Sequence, residues 1–171
     1  LSGGMRQRVV IALALALSPK LLIADEPTSA LDAVVQKQIL SLLKREITER
    51  QLSMVFITHE ISILTDLVEA VGVMYRGEIV EIGPQDKVLS QPLHPYTEML
   101  LTSLLTLDSS FKNLSANLWS GSRGSGTHDT MRPNSCKYSD RCKYTFERCR
   151  VERPQLSEVE KGRWVACHKF N

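Results

Sequence analysis

A glycine loop bearing lysine, of the form G-x-x-x-x-G-K-[ST], occurs nowhere in these 171 residues, so the backbone cradle that most often holds nucleotide phosphates is not written here. No apolar run reaches the roughly 18–20 residues a membrane span needs; the longest, residues 9–17, is far too short. Excess charge is also lacking. The balance of 21 Lys and Arg against 19 Asp and Glu leaves +2, which gives no footing for a nucleic-acid or membrane-surface binder. There is no initiator methionine, no targeting segment and no internal repeat. Cysteine is absent from the first 135 residues, then occurs four times in the tail.

What is present alternates. Residues 5–17 read as a helix ended by Ser18-Pro19, because the residue before proline is pushed out of helical backbone. Residues 21–25 form a short apolar run suited to a buried strand. Residues 33–50 place Val35, Ile39, Leu42 and Leu43 at helical spacing, and 54–58 is a second apolar strand. Ile61, Leu64 and Val68 mark one face of a further helix. Residues 71–75 and 78–82, joined by Arg76-Gly77, read as a hairpin with glycine at its tight turn. Residues 85–90 and 95–105 read as short helices. The expected fold is therefore α/β with a mainly parallel sheet over residues 1–107. A Ser-, Gly- and Asn-rich linker follows over 108–135, then a small cysteine-rich extension over 136–171.

The first helix opens on Ser2-Gly3-Gly4, a glycine nest that turns backbone N–H groups toward an anion. The first strand ends in Asp25-Glu26-Pro27, two carboxylates where an α/β sheet binds ligands. Phosphoryl transfer to water needs positioning, a metal to neutralise phosphate oxygens and a group that activates water. Asp25 suits Mg²⁺ through a coordinated water. Glu26, one residue on, projects elsewhere and is the expected general base. His59, after the second strand, is placed to hydrogen-bond a γ-phosphate. Each motif alone has a bland reading, as loop, strand end or exposed histidine. Their order, Ser2 to Gly4, Asp25-Glu26, Ser29-Ala30-Leu31-Asp32 and Thr58-His59-Glu60, makes chance assembly very improbable.

Cys136, Cys142, Cys149 and Cys167 begin with C-x₅-C and C-x₆-C gaps. Disulfides suit secreted domains, which fits poorly with the phosphoryl-transfer chemistry expected here. The gaps are wider than zinc knuckles, and an iron–sulfur cluster accepts less regular spacing. Spacing leaves zinc and a cluster both open, and His168, beside Cys167, is an alternative ligand in either case, although adjacent residues do not easily share one tetrahedral site.

The ordered motifs resemble the signature, Walker B, D-loop and switch histidine of ATP-binding cassette (ABC) ATPases. Residues 73–81, His94-Pro95-Tyr96-Thr97 and Val165-Ala166-Cys167-His168 are similar to the dipeptide/oligopeptide importer branch, in particular its D-type ATPase subunit. The resemblance implies a partial P-loop NTPase domain, with the phosphate loop, adenine-stacking aromatic and glutamine loop lying upstream in a longer protein. It implies ATP and Mg²⁺ as ligands and a two-chain site, where Ser2, Gly3 and Gly4 close over a neighbour's ATP and Asp32 reaches across the interface. Glycine is expected there because a Cβ would block that approach. It also implies a [4Fe–4S] cluster on the four cysteines, with Zn²⁺ as alternative. The implied partners are a second ATPase subunit, as a heterodimer, transmembrane permeases and, indirectly, an extracytoplasmic binding protein, at the cytoplasmic face of the membrane. The chain departs from that branch in its Gly/Ser-rich approach to Cys136 and in Tyr138 to Arg141 before Cys142. Other classes compatible with part of the pattern are a non-transport ABC ATPase acting on nucleic acid or ribosomes, and a metal-binding module on ATPase remnants. Without the upstream strands, the apolar faces of residues 9–17 and 21–25 are expected to be exposed.

Overall fold

A computed structural model of the protein describes residues 2–65, 67–107 and 134–170. Leu1 of the opening motif and nearly all of the expected linker lie outside the described residues. The chain divides into two compact units, Leu1–Val68 and Glu69–Asn171.

In the first unit, α1 (Gly3–Leu15) leads to β1 (Leu21–Asp25), α2 (Ala33–Arg50) and β2 (Ser53–Ile57). The Ser2 side chain accepts a hydrogen bond from the Met5 N–H, starting α1 two residues before the expected position. The helix also stops earlier, because Ser18 takes a left-handed conformation (φ +48°) ahead of Pro19. Asp32 caps α2 by accepting from the N–H groups of Val34 and Val35. Gln51, left-handed, closes its other end with an N–H bond to the Ile47 carbonyl. Ile11 and Leu15 of α1 meet Ile39 and Leu43 of α2 and Leu52, with Leu22, Leu31, Val35 and Phe56 packed around them. Truncating a side chain such as Leu43 in such a core costs about 2–5 kcal/mol.

Strands β1 and β2 pair in parallel, Leu21 opposite Ser53 through Asp25 opposite Ile57. Parallel pairing among the described residues is confined to these two strands. Only Ala24 of β1 is buried, so the reading of a buried strand is corrected. Ile23 is 64% exposed, Leu13 70% and Leu17 92%, and the expected bare apolar faces are present. The helix expected around Ile61, Leu64 and Val68 is a 3-10 turn over Ile61–Ile63. The Thr58 hydroxyl already accepts from the Glu60 N–H, and such local side-chain bonds compete with helical ones.

In the second unit, β3 (Ala70–Tyr75) and β4 (Glu78–Pro84) form the expected hairpin, turning at Arg76 (φ +48°) and Gly77 (φ +80°). Helices α3 (Gln85–Ser90) and α4 (Pro95–Leu107) follow, then α5 (Glu147–Val151), β5 (Ser157–Glu160) and β6 (Arg163–Val165) in the tail. The sheet order is β3-β4-β6-β5, antiparallel throughout. The cysteine-bearing tail thus joins the hairpin's own sheet. A buried ion pair holds it there: Arg163 Nη2 lies 3.0 Å from Glu81 Oε1, both side chains almost wholly enclosed. The Glu81 carboxylate also accepts from the N–H groups of Leu93 and His94, and Arg163 reaches the Gln91 carbonyl. These bonds satisfy charges that would otherwise be costly to bury. Tyr75, Tyr96 and Tyr138 pack ring to ring at 4.6–5.5 Å beside them.

Candidate active site and a cysteine-lined cavity

Parallel register brings the carboxyl ends of β1 and β2 side by side, since Asp25 stands opposite Ile57 and the Glu26 N–H bonds the Ile57 carbonyl at 2.9 Å. Asp25-Glu26 and Thr58-His59-Glu60 therefore leave the sheet at one edge. There Glu26 Oε1 and His59 Nδ1 are 2.9 Å apart, both side chains solvent-accessible. The hydrogen bond and charge of Glu26 raise the His59 pKa above its ordinary value, favouring an imidazolium–carboxylate pair. Glu26 is held at φ +43° and Ala30 at φ +60°, left-handed backbone that costs a non-glycine residue energy and tends to cluster at functional sites.

Behind the pair, the Gln36 amide donates to Glu60 Oε2 at 2.8 Å and to the buried Thr28 hydroxyl at 3.4 Å. That bridge ties the loop after β1 to the loop after β2. Sequence reading missed Thr28 and Gln36; the only available signal was a glutamine one turn into α2, below the loop.

Ser2, Gly3, Gly4 and Asp32 lie at helix starts, with no hydrogen bond among the described residues to Asp25, Glu26 or His59. Ser2 and Asp32 are caps. Both bonds to Asp32 use one oxygen, Oδ1, at 3.1 and 3.0 Å. Gly3 and Gly4 differ sharply. A Cβ on Gly4 would stand 2.4 Å from Val35 Cγ1, whereas one on Gly3 would meet Leu31 only at ordinary contact, 3.4 Å. Within this chain Gly4 lacks a side chain because α1 packs there against α2. Gly3, which is exposed, carries no such constraint.

In the second unit Cys136, Cys142, Cys149 and Cys167 line one cavity, with His94, Tyr138, Phe146 and His168 among its other walls. None is in a disulfide. Burial, then the proximity of the other thiols, pushes Cys142 up to about 11 and raises Cys136 and Cys167, burial again leading. Such thiols stay protonated at neutral pH unless a cation holds them as thiolates. Among the described residues no group of three or more His, Cys, Asp or Glu stands in an arrangement that holds a metal ion. The donor chemistry suits a thiophilic metal, but the sulfurs are not drawn together around one. His94 is buried, its Nδ1 accepting from the Tyr96 N–H at 3.0 Å, and burial lowers its pKa to about 4.

A parallel strand pair ending in Asp-Glu and Thr-His-Glu, beside a helix entered through Ser-Gly-Gly, makes this first unit similar to part of an ABC-type ATPase domain. Residues 1–29 match the ABC transporter family and residues 80–149 the oligopeptide/dipeptide transporter C-terminal region. The chain is 42% identical to the oligopeptide transport ATP-binding protein AppD of Bacillus subtilis, over 99% of this chain and 50% of AppD. It is 41% identical to the dipeptide transport ATP-binding protein DppD of Escherichia coli, over 98% of this chain and 50% of DppD. The solved structure of cbiO1 from Clostridium perfringens, part of the ABC transporter complex cbiONQ, superposes with a TM-score of 0.50 at 29% identity. That match covers 69% of this chain and 43% of cbiO1. The chain is similar to ABC transporter ATP-binding proteins of the oligopeptide/dipeptide branch. It spans about half the length of the curated relatives it matches. Among the described residues no helix is long and apolar enough to cross a membrane.

Proposed function

We propose that this chain belongs to an ATP-hydrolysing subunit that powers a peptide-type ABC importer for dipeptides, oligopeptides or a nickel chelate. The observation that carries the reading is the Glu26–His59 pair at the shared carboxyl edge of β1 and β2, next to Asp25, in a chain similar to this branch. Mg²⁺ bound with the triphosphate supplies charge neutralisation, and Asp25 is the residue that would hold it through its water shell. Glu26 takes the proton of the attacking water as the new P–O bond forms and ADP leaves. With His59 on Oε1, one oxygen of the carboxylate is engaged. A γ-phosphate carries more negative charge than Glu26 and competes for the imidazolium, so its arrival frees the base. Hydrolysis is thereby tied to a filled site.

Two copies of the ATPase fold complete the site: Ser2, the exposed Gly3 and Gly4 face a neighbour's nucleotide, with Asp32 at the interface. The neighbour is a second, different ATPase subunit, and the pair drives permeases at the cytoplasmic face of the membrane, supplied by an extracytoplasmic binding protein. On the tail, the common cavity of Cys136, Cys142, Cys149 and Cys167 supports a bound metal group, a [4Fe–4S] cluster before Zn²⁺.

The test is peptide uptake by proteoliposomes holding the complete transporter. Uptake should require MgATP and fall to background with His59→Ala. ATP turnover stimulated by nucleic acid, with no dependence on permease, would overturn the importer reading.

A further inference from the structure

We infer that Gln36 is a positioning residue for ATP hydrolysis, setting the spacing of the two loops that carry Glu26 and His59; the inference rests on the hydrolysis reading above. The His59 and Glu26 side chains are 69% and 46% exposed, so their backbones, not a packed core, set their separation. Each backbone is held from behind by the same group. Gln36 Nε2 lies 2.8 Å from Glu60 Oε2 and 3.4 Å from the Thr28 hydroxyl oxygen. Glu60 follows His59 directly, and Thr28 stands two residues after Glu26. A carboxylate only accepts, so the amide nitrogen faces Glu60, and its two N–H groups serve one loop each.

Both loops need such a hold. Glu26 and Ala30 have left-handed backbone, φ +43° and +60°, which persists only where its surroundings over-determine it. Thr28, buried between them, is tied to α2 by Gln36, and the Ser29 N–H bonds the Glu26 carbonyl at 3.1 Å. On the other side the Thr58 hydroxyl accepts from the Glu60 N–H at 3.0 Å. His59 therefore lies inside a closed turn, and fixing Glu60 fixes that turn. The bond has a second effect. The charge of Glu60 also favours a proton on His59, and with its Oε2 engaged by Gln36 it is a weaker rival to Glu26 for the imidazolium. Helix α2 itself does not need the bridge, because Asp32 caps its start and Ile39 and Leu43 anchor it in the core. Gln36 thus bears on the site more than on the fold.

ATP turnover and ATP binding by the assembled transporter, measured side by side, test this. Gln36→Ala should lower kcat by about 10- to 100-fold, the cost of misplacing a catalytic group by roughly 1 Å, with KM for ATP and ATP affinity near native. Gln36→Glu sets two carboxylates against each other and should be as slow at neutral pH. Its rate relative to native should climb as pH falls and the pair takes up a proton, a slope that Gln36→Ala lacks. Gln36→Glu joined to Glu60→Gln exchanges the two groups, rebuilds the bond and should recover most of the native rate. Native kcat in Gln36→Ala, a change confined to KM, or a doubly exchanged protein no faster than Gln36→Glu alone overturns the role of Gln36 and leaves the hydrolysis reading standing. Native hydrolysis by Glu26→Gln overturns that reading and this inference together.

Discussion

At the scale of single residues, neighbouring positions of one motif do different work. Gly4 packs where a methyl group would collide with Val35, so Gly4→Ala should destabilise the fold by about 1–3 kcal/mol, measured by chemical denaturation. Gly3→Ala should leave stability unchanged or slightly raised, because alanine favours helix, and should show its effect only on ATP turnover. Asp32→Ala should cost about 1 kcal/mol through loss of the cap. Asp32→Asn, which keeps a capping oxygen, should not. The motif order identified these residues as a set, but the sequence does not say that Gly4 faces α2, because that depends on a contact 31 positions away. The Glu26–His59 bond was likewise invisible, since the two are brought together only by the register of β1 on β2. In the nucleotide-free protein, NMR titration should place His59 above its ordinary pKa, and Glu26→Gln should return it toward that value.

Elements show which faces were written in the sequence and which came from pairing. From Val9 onward helix α1 is apolar all round, and its Val9, Val10 and Leu13 stay exposed, as does Leu17 beyond its end. A helix of that kind normally sits inside a larger core, and β1 and β2 each leave one edge unpaired among the described residues. The 171-residue chain alone should therefore self-associate in sedimentation and bind hydrophobic dyes, and Leu13→Gln should reduce both. The β3–β4 hairpin was legible because Arg76-Gly77 marks its turn. The β5–β6 hairpin was missed, although Lys161-Gly162 between Ser157–Glu160 and Arg163–Val165, with Gly162 at φ +74°, is a comparable two-residue signal. Nothing local foretold that β6 would lie against β4, because Glu81 and Arg163 are 82 residues apart. Arg163→Met should destabilise the tail by about 3–5 kcal/mol by leaving Glu81 uncompensated, and less than that when joined to Glu81→Gln.

For the whole molecule, stability should depend on pH in the direction set by His94. Its folded pKa, about 4, lies below the unfolded value near 6.5. Between those limits the unfolded chain binds the extra proton, so stability is full above about pH 6.5 and declines as pH falls toward 4. Equilibrium denaturation across that window checks it, and His94→Gln should flatten the slope. The resemblance was readable because its motifs are contiguous in the sequence; the enclosure of the cysteines and His168 was not, because it is assembled from the start of α4, the tail's turns, α5 and the segment after β6. The decisive measurement is made on the assembled transporter, comparing ATP binding and ATP hydrolysis for Glu26→Gln. Binding at native affinity with hydrolysis reduced by at least ~100-fold is the expected result. Hydrolysis at the native rate would contradict the assignment of Glu26 as the base, and loss of ATP binding with the fold intact would make it a binding residue instead.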